Sequence, residues 1–275
     1  INCGQRPFSY TPPSGYKALC TTNLPDSTVL KGNKYMDATL YTGTRATQSI
    51  VNTAGFKPDM VWCKTRSNVA EILVSDSIRG VTKQLFTSLT IAEQTDSTMI
   101  TAFNSNGFSL GDGSGGPYGN INYTIGGTYV GWQWAAGQGT TSSNTSGSRT
   151  STVSVNATAG FSIVSYTETS GSYTVGHGLG VTPSMFILKE RNTSSNWIVW
   201  HKYWESVDAI PTRKGQYLNA TQASFTTGSD WLNSLNSSTI GITAGQVTGG
   251  TDPTVIYCFA EIAGFSKFGS YTGNG

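Results

Sequence analysis

Apolar and polar residues alternate in short runs along this chain, a pattern typical of β-strands. Phe108 and Leu110 flank Ser109, and between residues 128 and 135 Val130, Trp132 and Trp134 fall on every second position. A period of two places successive side chains on opposite faces of a strand. Helix signals are few, and the runs of about four to eight residues are separated by turns. The pattern therefore predicts an all-β protein.

The predicted strands fall into two similar sets, one in each half of the chain. A single amphipathic sheet cannot bury both of its faces, so each set needs two layers. We expect two tandem antiparallel β-sandwiches, jelly-roll-like, preceded by an extended segment. The strands predicted for the first half are 35–42, 60–64, 72–75, 84–89, 99–103, 108–110 and 128–135, and for the second 161–166, 185–189, 197–202, 217–220, 240–242 and 254–260.

The two halves are copies of one another. Residues 41–66 align without a gap onto residues 166–191, a constant offset of 125 from Tyr41 to Tyr166, and eight of the 26 pairs are identical. The identical pairs include Lys64 with Lys189, and Tyr271 begins a further match to the same pattern near the end of the chain. A repeated unit is normally a folding unit. We therefore predict two complete repeats and the start of a third, in a polypeptide that continues.

Composition supplies the expected boundaries between these units. Residues 1–34 hold four of the nine prolines, which favour extended or turn geometry, and are predicted to be the end of a preceding domain plus a linker. The first β-sandwich repeat is assigned to residues 35–137 and the second to residues 156–264. Between them, residues 138–155 are rich in Gly, Ser and Thr and are predicted to be a flexible linker. Residues 265–275 are assigned to the third repeat.

Charge and cysteine content narrow the classes of function. Only 12% of the 275 residues are charged and the net charge is +2, whereas nucleic-acid binding needs clustered cations. Nucleic-acid binding is therefore not expected. Membrane insertion is not expected either, because no apolar run is long enough to span a membrane. The four cysteines form no CxxC pair, and only two histidines are present, so we expect no metal and no cofactor. Cys3 and Cys20 could pair in an oxidising setting, whereas Cys63 and Cys258 lie in apolar runs typical of buried thiols.

One aromatic cluster is a candidate glycan-binding surface. Trp197, Trp200, Tyr203 and Trp204 crowd into eight residues. Exposed rings stack on sugar faces while neighbouring amides and hydroxyls hydrogen-bond the sugar edges. On a strand, Trp197 and Ile198 face opposite sides, so core packing or a contact between domains is the competing interpretation.

Catalytic interpretations have less support in the sequence. A nucleophilic triad needs a base, and the two histidines are His177, in a glycine-rich turn where we expect it to be exposed, and His201 on a strand. Glycoside hydrolysis needs two opposed carboxylates, for which Glu190, Glu205 and Asp208 are candidates. The position equivalent to Glu190 in the first repeat is Thr65, so such a site is not part of the repeated pattern. The lone Asp112 in a glycine run is predicted to form a tight turn.

Several segments in combination resemble a known group of proteins. The string GQRPFSYTPPSGYKALCTTNLP resembles the end of a SPRY-type, concanavalin-A-like domain in phage-encoded tail proteins. It is followed by segments similar to that family, among them YMDATLYTG, GFKPDMVWCKTRS, DSIRGVTKQL, ITAFNSNGFSLG and TYVGWQWAAG. The resemblance covers nearly the whole chain, although Cys3 stands where an aromatic residue would be more usual.

The resemblance implies a non-enzymatic structural protein of a tailed bacteriophage, in the tail or tail fibre. It supplies no catalytic residues, and it implies a virion location with partners among other copies of the chain or other virion proteins. Contact with a host-surface glycan is a further expectation. Two alternatives remain from the residues themselves, namely a stand-alone carbohydrate-binding module and a glycan-degrading enzyme.

Overall fold

The computed structural model describes residues 10, 11, 13, 14, 27–116, 118–204, 214–225, 231–245 and 249–273. Within these ranges the regular structure is antiparallel β-strand with two short 3-10 helices, Gly32–Lys34 and Lys202–Trp204. The predicted all-β, β-sandwich class is confirmed. Cys3 and Cys20, and therefore their possible pairing, lie outside the described residues, as does most of the predicted extended segment.

Nineteen strands make up the described part of the chain. The first nine are β1 (Met36–Thr42), β2 (Gln48–Val51), β3 (Met60–Thr65), β4 (Leu73–Asp76), β5 (Lys83–Phe86), β6 (Gln94–Thr95), β7 (Ile100–Asn104), β8 (Gly107–Leu110) and β9 (Thr128–Trp134). The others are β10 (Ser142–Asn144), β11 (Ser151–Asn156), β12 (Phe161–Thr167), β13 (Ser172–Gly176), β14 (Met185–Glu190), β15 (Ile198–His201), β16 (Gln216–Tyr217), β17 (Leu232–Leu235), β18 (Thr239–Thr243) and β19 (Pro253–Phe259).

Each half of the chain forms a large sheet packed on a small one. In the first sandwich the large sheet has the order β1-β9-β3-β4-β5-β6 and the small sheet β2-β8-β7. In the second, the large sheet has the order β10-β11-β12-β19-β14-β15-β16 and the small sheet β13-β18-β17. Separate apolar cores fill the two sandwiches, with Phe108 in the first and Phe186 in the second. The two sandwiches therefore have the same plan.

The equivalence of the two sandwiches holds to the residue in three strands. The bounds of β1, β3 and β9 coincide with those of β12, β14 and β19 after the offset of 125. In both sandwiches the last of these strands lies between the other two and pairs antiparallel with both. The duplicated sequence thus folds into a duplicated three-strand unit.

The stretch predicted to be a flexible linker is instead partly β-structure. Strands β10 and β11 pair with each other, and β11 pairs with β12, so they extend the second large sheet at its edge. Val153 of β11 is buried in the core of the second sandwich. The prediction of a linker from composition was wrong because a strand near a sheet edge needs few apolar residues when only one of its faces is covered.

The two sandwiches are stacked on each other through their large sheets. Met60 and Trp62 of β3 point away from their own small sheet and join a third apolar core, to which Phe161, Tyr257 and Trp197 contribute from the second sandwich. Val61 and Cys63, which alternate with them, face the core of the first sandwich. Strands β3 and β19 are thus apolar on both faces, as strands in the middle layers of a four-layer stack must be.

Candidate binding site between the two sandwiches

An aromatic pocket of about 270 Å³ opens where the two large sheets meet. Tyr35 and Trp134 come from the end of the first large sheet, and Phe161 and Phe259 from the end of the second. The segment that follows β19 turns back over this opening and adds Phe265 to the wall. Both sandwiches and the C-terminal segment therefore build the pocket.

The pocket arises from equivalent positions in the two repeats. Trp134 and Phe259 are the last residues of β9 and β19, and the ring of Phe161 lies against both, with centroid distances of 6.5 Å and 5.1 Å. Tyr35 meets Phe265 edge to face at 6.2 Å. Tilted and edge-to-face ring pairs are favourable arrangements and hold the wall in place.

The wall of this pocket is mainly apolar. Ser266, a polar lining residue, donates its hydroxyl to the Ala260 carbonyl at 3.1 Å and accepts the Ile262 N–H at 3.1 Å, so both functions of the hydroxyl are used. Recognition of a sugar depends on free hydrogen-bonding groups, whereas an apolar side chain needs none. The pocket is therefore suited to an apolar group.

Charged residues lie beside the pocket but are paired. Glu261 accepts a hydrogen bond from Lys202 and forms an ion pair with Lys267 at 3.3 Å. The bond from Lys202, with that from the Phe268 N–H, lowers the pKa of Glu261 to about 2. The ring of His201 lies 5.9 Å from that of Phe268, between the pocket and the predicted glycan-binding cluster.

The structure separates the four predicted glycan-binding residues. Trp197 is fully buried in the third core, where its indole N–H donates to the carbonyl oxygens of Phe86 at 2.8 Å and Leu89 at 3.1 Å. Trp200 is buried in the second sandwich and stacks on Phe186 at 5.6 Å. The prediction that these two tryptophans stack on a sugar is wrong, because both faces of β15 are covered and both rings are buried in apolar cores.

Tyr203 and Trp204 lie outside the cores, next to the aromatic pocket. Tyr203 is 46% exposed and Trp204 is half-buried against the third core. The ring of His201 lies 5.8 Å from Tyr203 and 5.7 Å from Trp204. These three rings extend the aromatic surface from the pocket, so two of the four predicted residues are available for contact.

A buried ionic network, which the sequence analysis did not identify, lies between the stacked sheets. Arg79 donates to Asp76 at 2.5 Å, to Glu93 at 2.9 Å and to the Tyr257 hydroxyl at 3.2 Å. Arg191 donates two further bonds to Glu93, at 3.0 and 2.9 Å. The network joins the two sandwiches, since Tyr257 and Arg191 belong to the second and the other members to the first.

The pKa values in this network follow from burial and from these contacts. Burial by itself would lower the pKa of Arg79, but Asp76, Tyr257 and Glu93 raise it above its usual value. Burial would raise the pKa of Glu93, yet the bonds from Arg191 and Arg79 hold it below its usual value. Both groups therefore stay ionised, and the network acts as a structural link.

The catalytic candidates are engaged in structural contacts. His177 is buried, not exposed as predicted, and its Nε2 lies 3.1 Å from the Asn236 carbonyl while its Nδ1 accepts the Leu179 N–H. Burial lowers the pKa of His177. Glu190 is buried and accepts the backbone N–H of Gly249, whereas Glu205 and Asp208 lie outside the described residues.

Asp112 forms the predicted tight turn, accepting the Ser114 N–H at 3.0 Å and the Ser114 hydroxyl at 2.8 Å. Across the described ranges, His, Cys, Asp and Glu side chains form no group of three that could hold a metal ion. The same ranges contain no helix with the length and apolar character of a membrane span.

Comparison with known protein families places the chain in one of them. The model of a family described as a domain of unknown function, DUF7483, matches residues 31–275, and the chain belongs to this family. No curated protein and no solved structure matches the chain.

Proposed function

We propose that this member of the DUF7483 family is a non-enzymatic structural module of a tailed-phage virion, located in the tail or tail fibre. Its partners are other copies of the chain or other virion proteins, and it contacts a glycan on the host surface. It does not act on nucleic acid or insert into a membrane. The family match leaves the role open, so the proposal depends on the chain's own geometry and on its resemblance to phage tail proteins.

The observation that carries the proposal is the third apolar core. Because the large sheets bury their outer faces against each other, the two sandwiches form one block instead of two beads on a flexible linker. The buried ionic network reinforces this contact. A part of an extracellular particle has to transmit load without domain motion, and a large apolar interface provides that rigidity.

The aromatic pocket supports an assembly role for the same block. It is apolar, lies at the surface end of the interface and continues into Tyr203 and Trp204. An adjoining protein chain can insert an apolar side chain there. The buried environments of His177 and Glu190 support a non-enzymatic role, because neither side chain is accessible to a substrate.

The test is immunogold labelling of purified phage particles with antibodies raised against this chain. We expect gold particles on the tail. The control is a lysate of the host infected with an unrelated phage, which the antibodies should not label. Antigen confined to the soluble fraction, with unlabelled particles, would contradict the proposal.

A stand-alone carbohydrate-binding module is the second candidate, and the exposed ring of Tyr203 beside Trp204 favours it. It differs from the first in location, because such a module would be recovered from the soluble fraction while binding polysaccharide. Loss of polysaccharide binding in Tyr203→Ala, with unchanged thermal stability, would support this candidate.

A further inference from the structure

We propose that a small polar pocket on the first sandwich, formed by Gln84, Gln94, Asp96 and Tyr118, binds a neutral hexopyranose of a surface glycan. This inference deepens the glycan contact of the proposed function and rests on that part of it. The pocket lies at the β6 edge of the first large sheet, has a volume of about 110 Å³ and is separate from the aromatic pocket between the sandwiches.

Gly116 and Tyr118, which follow β8 in the chain, line the pocket together with residues of β5 and β6, and the neighbouring Gly115 is held by hydrogen bonds. The Thr98 hydroxyl donates to Asp96 Oδ1 at 2.7 Å and accepts the Gly115 N–H at 2.8 Å. A Cβ at residue 115 would collide with the Asp96 carboxylate, so glycine is required there. Gly115 is thus held in place by bonds within the protein, which reduces the entropic cost of binding at this side of the pocket.

The pocket combines a ring with hydrogen-bonding groups. The Tyr118 ring rests on buried Phe86, with a centroid distance of 5.6 Å, and is 36% exposed on the outside. Among the described residues, Asp96 Oδ2 and the Tyr118 hydroxyl have no hydrogen-bond partner, and Asp96 and Tyr118 both line the pocket. Gln94, which is exposed, adds a carboxamide. A ring face with acceptors and donors at its border is the arrangement that recognises a sugar.

Charge and size select the class of ligand. Asp96 is an acid at the pocket, and Lys83 lies nearby on β5, where its ammonium group donates to Thr95 at 2.6 Å. The Asp96 carboxylate disfavours an anion and can accept hydrogen bonds from hydroxyl groups, so a neutral hydroxyl-rich ligand fits the pocket. The volume is small enough that one pyranose ring would be held along one face and edge, as at the end of a glycan.

The test is saturation-transfer difference NMR with the methyl glycosides of glucose, galactose, mannose and N-acetylglucosamine as probes. We expect saturation of the ring protons of at least one glycoside. Tyr118→Ala should weaken its binding about tenfold by removing the ring, an effect within the range of single aromatic contacts. Asp96→Asn should weaken it several-fold while its remaining oxygen still accepts the bonds from Thr98.

Two further variants serve as controls, one for correct folding and one for the location of the binding site. Tyr118→Phe keeps the ring and the packing on Phe86, so any loss of binding reports the hydroxyl group. Tyr271→Ala removes a 95% exposed ring that lines neither pocket and should leave binding unchanged. No saturation of any of the four glycosides, or loss in Tyr203→Ala with retention in Tyr118→Ala, would overturn the inference.

The outcome can be separated from that of the proposed function. Labelled virions together with absent glycoside binding would overturn this site alone. Glycoside binding by a chain that is absent from particles would overturn the virion role and leave the site intact.

Discussion

The two repeats carry a lysine at the same position of equivalent strands, Lys64 and Lys189. Only Lys189 forms a contact between the two sandwiches. Lys64 donates to the Ala70 carbonyl within its own hairpin. Lys189 donates to Ser195 Oγ at 2.9 Å in the equivalent hairpin and reaches the Thr90 carbonyl of the first sandwich at 3.3 Å. Lys189 is fully buried as a result.

The equivalent arginines differ in the same way. Arg66 is exposed, whereas Arg191 forms two bonds with Glu93 and belongs to the network between the sandwiches. The segment between β5 and β6, which carries Thr90 and Glu93, causes both differences because it extends from the first sandwich over the second. Duplication therefore preserved the framework of each sandwich, and the contact between sandwiches gave equivalent side chains different environments.

The largest effect is expected for Trp197→Ala. This change removes a fully buried indole and both of its hydrogen bonds to the first sandwich, so the free energy of unfolding should fall by about 4–5 kcal/mol. Urea denaturation followed by circular dichroism measures it. Tyr203→Ala, an exposed neighbour, serves as the control and should change stability by less than about 0.5 kcal/mol. Equal effects of the two changes would contradict the assignment of Trp197 to the third core.

Arg79→Met should be the next most damaging change. It leaves Asp76 buried without its ionic partner and takes one of two arginines from Glu93, which should cost about 3–4 kcal/mol. The same urea titration measures the effect. If Arg79→Met were as stable as the wild type, the network would contribute nothing to the contact between the sandwiches.

Lys189 makes the contact between the sandwiches dependent on pH. Burial lowers its pKa to about 8 from 10.5, although Glu190 acts in the opposite direction. Between these pH values the unfolded chain binds more protons at this position than the folded chain, so the contribution of Lys189 to stability rises as pH rises. We expect the unfolding free energy of the wild type to increase relative to that of Lys189→Met between pH 8 and about 10.

Other groups that titrate in this range are common to both chains and cancel in the difference. A gap between wild type and Lys189→Met that stays constant over these pH values, measured by urea denaturation at each pH, would contradict the lowered pKa of Lys189.

The smallest effect concerns the equivalent arginines. Arg191→Met should reduce the free energy of unfolding by about 1 kcal/mol, because its ion pair with Glu93 is only partly buried. Arg66→Met is the matched control and should be close to neutral. A larger loss of unfolding free energy in Arg66→Met than in Arg191→Met would contradict the conclusion that only Arg191 stabilises the contact between the sandwiches.

Strands with strong alternation or continuous apolar runs were predictable from sequence. Residues 60–64, 128–135 and 185–189 were predicted as strands and form β3, β9 and β14, because their branched and aromatic side chains suit a pleated surface. Strands β2, β13 and β17 were not predicted. They are short strands of the small sheets, and β2 and β13 pair with strands that are distant in sequence.

The candidate site was less predictable than the fold. The sequence identified the Trp-rich segment as an aromatic cluster, but it could not decide which of these rings are buried and which are exposed. The rings of the aromatic pocket come from segments as far apart in the sequence as Tyr35 and Phe265, so no local motif identifies them. A signal was present in the equivalence of Trp134 and Phe259, since repeated aromatic residues at strand ends indicate a shared face.

The sequence by itself determined that the chain is a duplicated β-structure, because alternation and the constant offset are local and periodic properties. Only the tertiary structure decided that the two large sheets pack against each other, which residues are thereby buried, and where pockets remain. The physical reason is that a strand's pattern records that a face is apolar and does not record what covers it. Trp197 and Lys189 are buried because the first sandwich lies over the second, a relation between distant segments.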